Sequence, residues 1–167
     1  DYDLNLIGIR SRNRTPGKFD DKFVCIYRQK NEFIEEEYIC TTDPSMEEHL
    51  DPTNKKGVAI LAPGQYRSAY ELDLHRGKYT ALCQRGTVTV YRDNNMNSIS
   101  DYINSESGMY GINVHRAHLS KIVESTHLYS MGCTVIQNPA SFARLIALCK
   151  LQVGIGYKKF TYTLIEE

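Results

Sequence analysis

One histidine and one cysteine in this chain have the types and spacing that nucleophilic catalysis requires. His115 precedes Cys133 by eighteen residues, and Cys133 lies in the small-residue segment Ser130-Met131-Gly132-Cys133-Thr134. A cysteine attacks a carbonyl as its thiolate, so it needs a basic partner and main-chain N–H groups near the sulfur. His115 could act as that base, and Gly132 could let the backbone approach a substrate closely.

The other cysteines lack this setting. Each has apolar neighbours, as buried thiols usually do: Cys25, Cys40, Cys83 and Cys149. Five cysteines are an odd number, and neither a CxxC nor a CxH spacing occurs. We therefore expect no disulfide framework, no metal site and no other cofactor.

The elements that would position this pair are mainly β-strands. Runs rich in Val, Ile, Thr, Tyr and Phe predict strands at Leu4–Ile9, Phe23–Arg28, Glu37–Thr42, Val58–Leu61, Tyr66–Leu74, Tyr79–Gln84, Thr87–Tyr91, Gly111–His115, Cys133–Ile136 and Lys159–Ile165. Their spacing suits an antiparallel sandwich or barrel. His115 then ends one strand and Cys133 begins another, so the segment between them could form one wall of a cleft.

Turn and helix signals complete the prediction. Arg85-Gly86 reads as a hairpin turn within a meander, and the polar segment Asp43–Lys56 reads as a long loop. Asn138 and Pro139 can begin a helix that runs to about residue 151, with an apolar stripe on one face. A shorter helix is predicted around Asn97–Asn104.

Composition limits the partners. The 167 residues suit one domain, residues 1–167, and the twenty basic and twenty acidic side chains cancel, at a sequence pI of about 7.1. This balance argues against nucleic acid as a partner. No apolar run approaches the roughly 20 residues that a membrane span needs.

The residues around the pair resemble the catalytic motif of the L,D-transpeptidase (YkuD-like) family. In that family a histidine precedes a Ser/Thr-x-Gly-Cys turn, which here corresponds to His115 and Ser130–Cys133. The upstream run from Gly57 to Tyr66, which contains Pro63-Gly64-Gln65-Tyr66, is similar to a segment found ahead of the site in such proteins. The resemblance covers roughly residues 57–138 and implies a YkuD-like β-sandwich or barrel.

Two departures from the family pattern affect the expected substrate. Met131 stands where relatives commonly have a histidine, and Thr134 to Ile136 stand where they have an arginine that helps to hold the acyl-donor peptide. These departures favour a divergent branch, associated with phages or effectors, that cuts cell-wall peptides. Arg116, Arg144 or Arg67 could replace the missing charge.

The resemblance implies acyl transfer on peptidoglycan stem peptides, by a cell-wall peptide hydrolase rather than an L,D-transpeptidase, with a role in lysis. Cys133 would be the nucleophile, His115 its acid–base partner and Gly132 part of the oxyanion hole, while the Arg116 carbonyl would orient His115. Ser130, His75 and Tyr66 are the expected substrate-binding residues. Such an enzyme would act on the cell wall, either secreted or carried on a virion.

Other interpretations remain open. Cys133 could be a small buried residue at the start of a core strand, with His115 a hydrogen-bonded strand-end histidine, and His75 could be an exposed hairpin residue. The chain would then be a non-catalytic β-domain of a phage tail or cell-surface assembly, binding wall polymer or another subunit. A papain-like peptidase fits less well, because those enzymes place the cysteine before the histidine.

Overall fold

The computed structural model describes residues 1–167, which form eleven strands, two α-helices and one turn of 3₁₀-helix. The strands are β1 (Asn5–Arg10), β2 (Asp21–Gln29), β3 (Glu32–Thr41), β4 (Val58–Leu61), β5 (Gly64–His75), β6 (Tyr79–Gln84), β7 (Val88–Asp93), β8 (Glu106–Gly108), β9 (Val114–Arg116), β10 (Thr134–Ile136) and β11 (Lys159–Glu166). The helices are α1 (Met46–Leu50) and α2 (Pro139–Gly154), and the 3₁₀ turn spans His127–Tyr129.

Eight of the strands close into a barrel in the order β1-β11-β5-β6-β9-β10-β3-β2, and β4, β7 and β8 form a separate three-stranded sheet. The mainly β prediction with one long C-terminal helix is therefore confirmed. Most neighbouring strands are antiparallel, but β1 pairs in parallel with β11 and β9 with β10. The β9–β10 pairing brings the two residues of the predicted pair to one part of the barrel, because His115 lies in β9 and Cys133 immediately precedes β10.

Apolar and aromatic side chains fill the barrel. The Tyr162 ring stacks on Phe23 with centroids 5.6 Å apart and meets the edge of Tyr70 at the same distance. Helix α2 begins as predicted, since the Asn138 side chain accepts a hydrogen bond from the Ala140 N–H and Pro139 occupies the first turn. Its apolar face joins the same core through Phe142, Leu145, Ile146, Leu148 and Cys149.

The predicted hairpin at Arg85-Gly86 is wrong. β6 belongs to the barrel and β7 to the second sheet, so the two strands are not paired. Both N–H groups of this dipeptide donate to the Ala69 carbonyl, and a Cβ on Gly86 would lie 2.9 Å from the Ala69 Cα. The glycine thus serves a close backbone approach to β5, which short-range turn patterns do not reveal.

The segment Asp43–Lys56 is not entirely a loop, because it contains helix α1. The Ser45 hydroxyl caps this helix by accepting from the Glu48 N–H, and the Ser45 N–H donates to the Ser130 carbonyl. His49 lies against Asp93, with Nδ1 3.5 Å from the carboxylate. Contacts distant in sequence therefore hold a helix of five residues that would be marginal alone.

The short helix predicted at Asn97–Asn104 does not form. The side chains of Asn95 and Asn97 accept hydrogen bonds from N–H groups two residues further on, and Asp93 accepts from the Asn95 and Asp101 N–H groups. Side chains of this type compete with the helix for backbone donors. The short strand β8 that follows was not predicted.

No helix in the structure has the length and apolar character required to cross a membrane.

Candidate active site

The largest cleft has a volume of about 520 Å³ and lies between the barrel and the second sheet. Its walls come from the β5–β6 turn, the segment before β9, the turn before β10 and the segment around β4. The residues that line it include His75, Arg76, Gly111, Asn113, Met131 and Cys133. Cys133 is the only cysteine that lines it.

The parallel pairing of β9 and β10 places Cys133 near His115. The register joins Val114 to Thr134 and His115 to Val135, so Cys133 lies beside Asn113, one step earlier. Residues two apart on a strand share a face, which puts Cys133 and His115 on the same side of the sheet. From ordinary strand spacings their Cα atoms are about 8 Å apart.

The Cys133 thiol is half-buried and makes two hydrogen bonds, neither of them with a histidine. Its sulfur accepts from the Asn113 main-chain N–H at 3.4 Å and donates to the Gly111 carbonyl at 3.4 Å. Burial raises the pKa of the thiol to about 11, although the Asn113 N–H and the charge of Arg76 both act to lower it. At neutral pH the sulfur is therefore protonated in the free protein.

The turn that carries Cys133 requires a glycine. Gly132 has φ +119°, and a Cβ there would lie 2.2 Å from the carbonyl oxygen of Ala59 in β4. The buried Ser130 hydroxyl lies 2.7 Å from the Asp43 carbonyl and 2.9 Å from the Cys133 carbonyl, and it accepts from the Gly132 N–H. Ser130 thus shapes the turn and does not line the cleft, in contrast to the substrate-binding place expected for it.

The main-chain N–H groups of Ser130, Met131 and Cys133 make no hydrogen bond within the chain. The neighbouring Gly132 N–H is already occupied by Ser130. Of these groups, the Cys133 N–H belongs to the residue that carries the sulfur and is therefore the candidate main-chain donor to an attacked carbonyl. A complete oxyanion hole needs a further donor from elsewhere.

The His115 ring is buried and held in one orientation. Nδ1 lies 2.8 Å from the Arg116 carbonyl, which can only accept, so the ring proton is on Nδ1 and Nε2 carries the lone pair. Nε2 has no hydrogen-bond partner in the chain, and it is not completely sealed from solvent. Burial, followed by the nearby His75, lowers the pKa of His115 to about 3.

His75 lines the cleft and packs against His115, with the two rings stacked at 4.2 Å between centroids. The Asn113 side chain contacts this histidine, with Nδ2 3.1 Å from His75 Nδ1. Burial lowers the pKa of His75 and the Arg76 charge lowers it further, so the ring is neutral at pH 7.

The arginines take different places. The Arg116 guanidinium lies over the Tyr79 ring at 3.9 Å, so this residue contributes its carbonyl to the site. Arg144 is paired with Glu36 at 2.7 Å, and Arg67 is exposed on β5. Arg76, which was not predicted, is the cleft cation without a carboxylate partner; its Nη2 lies 3.5 Å from the Met131 sulfur.

Tyr66 is not part of this cleft. Its hydroxyl donates to main-chain carbonyls, with the Ala62 oxygen as the nearer acceptor and the Thr89 oxygen at 3.1 Å. The Tyr66 ring is buried in the core, where it ties β5 to the segments beside the second sheet. No group of three His, Cys, Asp or Glu side chains converges as a metal site would require.

The segment before β9 is positioned by the buried Gln84 side chain. Its Oε1 accepts from the N–H groups of Tyr110 and Ile112, and its Nε2 lies 2.9 Å from the Gly108 carbonyl. Gln84 therefore fixes the backbone that presents Gly111 to the sulfur. Neither Gln84 nor Asn113 was predicted, although Asn113 lies two positions before His115, on the same face of the extended chain.

No family model, curated protein or solved structure matches this chain. The function must therefore be inferred from the cleft and from the motif residues in and beside it.

Proposed function

We propose that this protein is a cysteine-dependent acyl-transfer enzyme that acts on peptidoglycan stem peptides, as a cell-wall peptide hydrolase rather than an L,D-transpeptidase. One observation carries the proposal. The only cysteine on the largest cleft lies one strand across and two positions along from a buried histidine, whose Nε2 lone pair is free.

The chemistry follows from these groups. As the Cys133 sulfur attacks the amide carbon, its proton moves to His115 Nε2, and the carbonyl oxygen becomes an oxyanion. When the C–N bond breaks, His115 returns that proton to the leaving amine and a thioester remains. Water then attacks the thioester, again losing a proton to His115, and the thiol and a free carboxylic acid are regenerated.

The resting state of the site requires the substrate to trigger this transfer. The Cys133 thiol and the His115 ring are both neutral in the free protein, because burial disfavours their charged forms. A bound carbonyl that receives the electron pair from sulfur makes the proton transfer favourable as attack proceeds. The enzyme would thus be selective for a bound acyl donor over free electrophiles.

The charges of the cleft fit a substrate with a carboxylate. Arg76 lies beside Met131 at the turn that carries Cys133 and has no acidic partner. Arg92, which also lines the cleft, is neutralised by Glu106 at 2.6 Å. The one lining carboxylate, Glu48, accepts hydrogen bonds from Thr53. Stem peptides carry free carboxylates, and a guanidinium binds such groups through paired hydrogen bonds.

We propose hydrolysis rather than cross-linking because the missing arginine after Cys133 departs from the pattern of the L,D-transpeptidases that the motif resembles and favours a divergent, peptide-cutting branch. The two reactions share the thioester and differ in whether water or an amine resolves it.

The direct test is to incubate the protein with purified muropeptides and to follow their masses. The proposal expects shortened peptides with wild type, no products with Cys133→Ser, and a loss of at least about 10²-fold with His115→Phe, as for a positioned acid–base group. His127→Phe, which changes an exposed histidine outside the cleft, is the matched control. Cross-linked products would shift the assignment to transpeptidation, and unchanged muropeptides with wild type would refute the proposal.

A second candidate function is a non-catalytic β-domain of a phage tail or cell-surface assembly. The observation that favours it is the resting state of the thiol, which is protonated and hydrogen-bonded to main-chain groups rather than to a histidine. This candidate predicts binding of wall polymer or of another subunit that Cys133→Ser leaves unchanged.

A further inference from the structure

The two stacked histidines carry their ring protons on different nitrogens. The Asn113 Oδ1 accepts from the Gln84 main-chain N–H at 2.8 Å, so the group that Asn113 turns towards His75 Nδ1 is its NH₂. His75 Nδ1 must therefore accept, and the ring proton lies on Nε2. In His115 the arrangement is reversed, because Nδ1–H donates to the Arg116 carbonyl.

The donor on His75 is free. Its Nε2 makes no hydrogen bond within the chain, and it is not completely sealed from solvent. His75 and Cys133 both line this cleft, so a substrate bound there could contact both residues. Asn113 connects the two residues directly, because its side chain holds His75 and its main-chain N–H binds the Cys133 sulfur.

We propose that His75 Nε2–H is the second donor of the oxyanion hole, alongside the Cys133 main-chain N–H. This inference rests on the acyl-transfer function proposed above and gives His75 a role separate from that of His115. His115 Nε2 takes the proton of the thiol, whereas His75 Nε2–H donates a hydrogen bond to the carbonyl oxygen as negative charge develops on it. His75 keeps its proton throughout.

The surroundings of His75 suit a neutral donor. Burial disfavours a positive charge on His75, and the charge of its chain neighbour Arg76 disfavours it further, while the His115 ring lies against one face. Tyr79 packs against it at 5.6 Å between ring centroids and adds no carboxylate that would stabilise a charged ring. A neutral imidazole held in one tautomer can polarise a carbonyl without titrating near pH 7.

The test compares two reactions of Cys133 in the full chain. Alkylation by iodoacetamide needs a thiolate but no oxyanion hole, whereas acylation by muropeptides needs both. We expect His75→Phe, which keeps a stacking ring but removes the donor, to slow acylation by about 10²–10³-fold, the usual effect of losing one oxyanion donor. Alkylation of Cys133 should change by less than about threefold, and His75→Gln, whose amide can donate, should recover part of the acylation rate.

The outcomes separate this inference from the proposed function. If wild type turns over muropeptides and His75→Phe does so equally well, or if His75→Phe slows alkylation and acylation alike, the oxyanion role is wrong while the enzyme assignment stands. If His75→Gln is as inactive as His75→Phe despite a native circular dichroism spectrum and unfolding midpoint, the donor role is also overturned. If wild type does not react with muropeptides, the proposed function itself fails.

Discussion

Replacing Gly132 by alanine should distort the turn that carries Cys133 and lower the free energy of unfolding. The geometry of the turn sets the expected size of this loss. At φ +119° an alanine is strained, which costs about 1–3 kcal/mol. Its Cβ would also meet the Ala59 carbonyl oxygen at 2.2 Å, so β4 or the turn must move. Overpacking of this kind costs about 1–3 kcal/mol more, for a total loss of about 2–6 kcal/mol.

Gly77 offers a matched control for this substitution. It also has positive φ, at +69°, but no atom lies within 4 Å of where its Cβ would be. Gly77→Ala should therefore cost only the conformational strain, about 1–2 kcal/mol. Equilibrium urea unfolding of both variants measures the difference, and the m-value reports whether the denatured state has changed.

The consequence for the site can be read in the same variants. We expect Gly132→Ala to lower muropeptide turnover even at temperatures where it is folded, because the turn carries both the sulfur and the free N–H of Cys133. Gly77→Ala should retain activity. A loss of stability in Gly132→Ala no larger than that in Gly77→Ala would refute the claim that Ala59 fixes the turn.

Three further outcomes follow from the charges of the site. Because the pKa of Cys133 is raised to about 11 and that of His115 lowered to about 3, alkylation of Cys133 should rise about tenfold per pH unit from pH 7 to 10; an inflection near pH 6.5 would contradict this. Below pH 6.5 the unfolded chain protonates His115 and the folded chain does not, so this residue's contribution to stability is complete above about pH 6.5 and is lost as the pH falls towards 3. Between pH 6.5 and 4, the unfolding free energy of wild type should then fall more steeply than that of His115→Phe, by up to about 1.4 kcal/mol per pH unit. Urea unfolding at each pH measures both proteins. An equal pH dependence of their unfolding free energies would contradict the lowered pKa of His115. Arg76→Met should slow alkylation of Cys133 at pH 8. It should also raise KM for carboxylate-bearing muropeptides roughly tenfold, as expected for one lost charged hydrogen bond. Arg67→Met, which changes an exposed arginine on β5, is the control, and an equal effect there would show that only the overall charge matters.

The elements that the sequence predicted well are those with local signals. Helix α2 combines a capping Asn138, a proline in its first turn and an apolar stripe, and its start was correct, although it extends to Gly154 rather than to about residue 151. The strands likewise follow from their β-branched and aromatic residues. Errors arose where distant contacts decide the structure, as at Gly86, which fits against Ala69, and in α1, which is held by Ser130.

The candidate site shows the same division. The order His115, Gly132, Cys133 is visible in the sequence, but the parallel register of β9 and β10 is not, since the two strands are joined by a long excursion. Arg76 and Asn113 come together because the β5–β6 turn packs against the β9–β10 pair, a contact between segments distant in sequence. Neither residue has a local pattern that would single it out.

The most direct test of the central claim is the mass of the intact protein after brief mixing with purified muropeptides and acid quenching, followed by peptide mapping. The account predicts a covalent acyl adduct on Cys133 that decays as hydrolysed peptide appears, and that is absent in Cys133→Ser. Unmodified protein at every time point, together with unchanged muropeptides, would contradict it and would favour the non-catalytic binding domain.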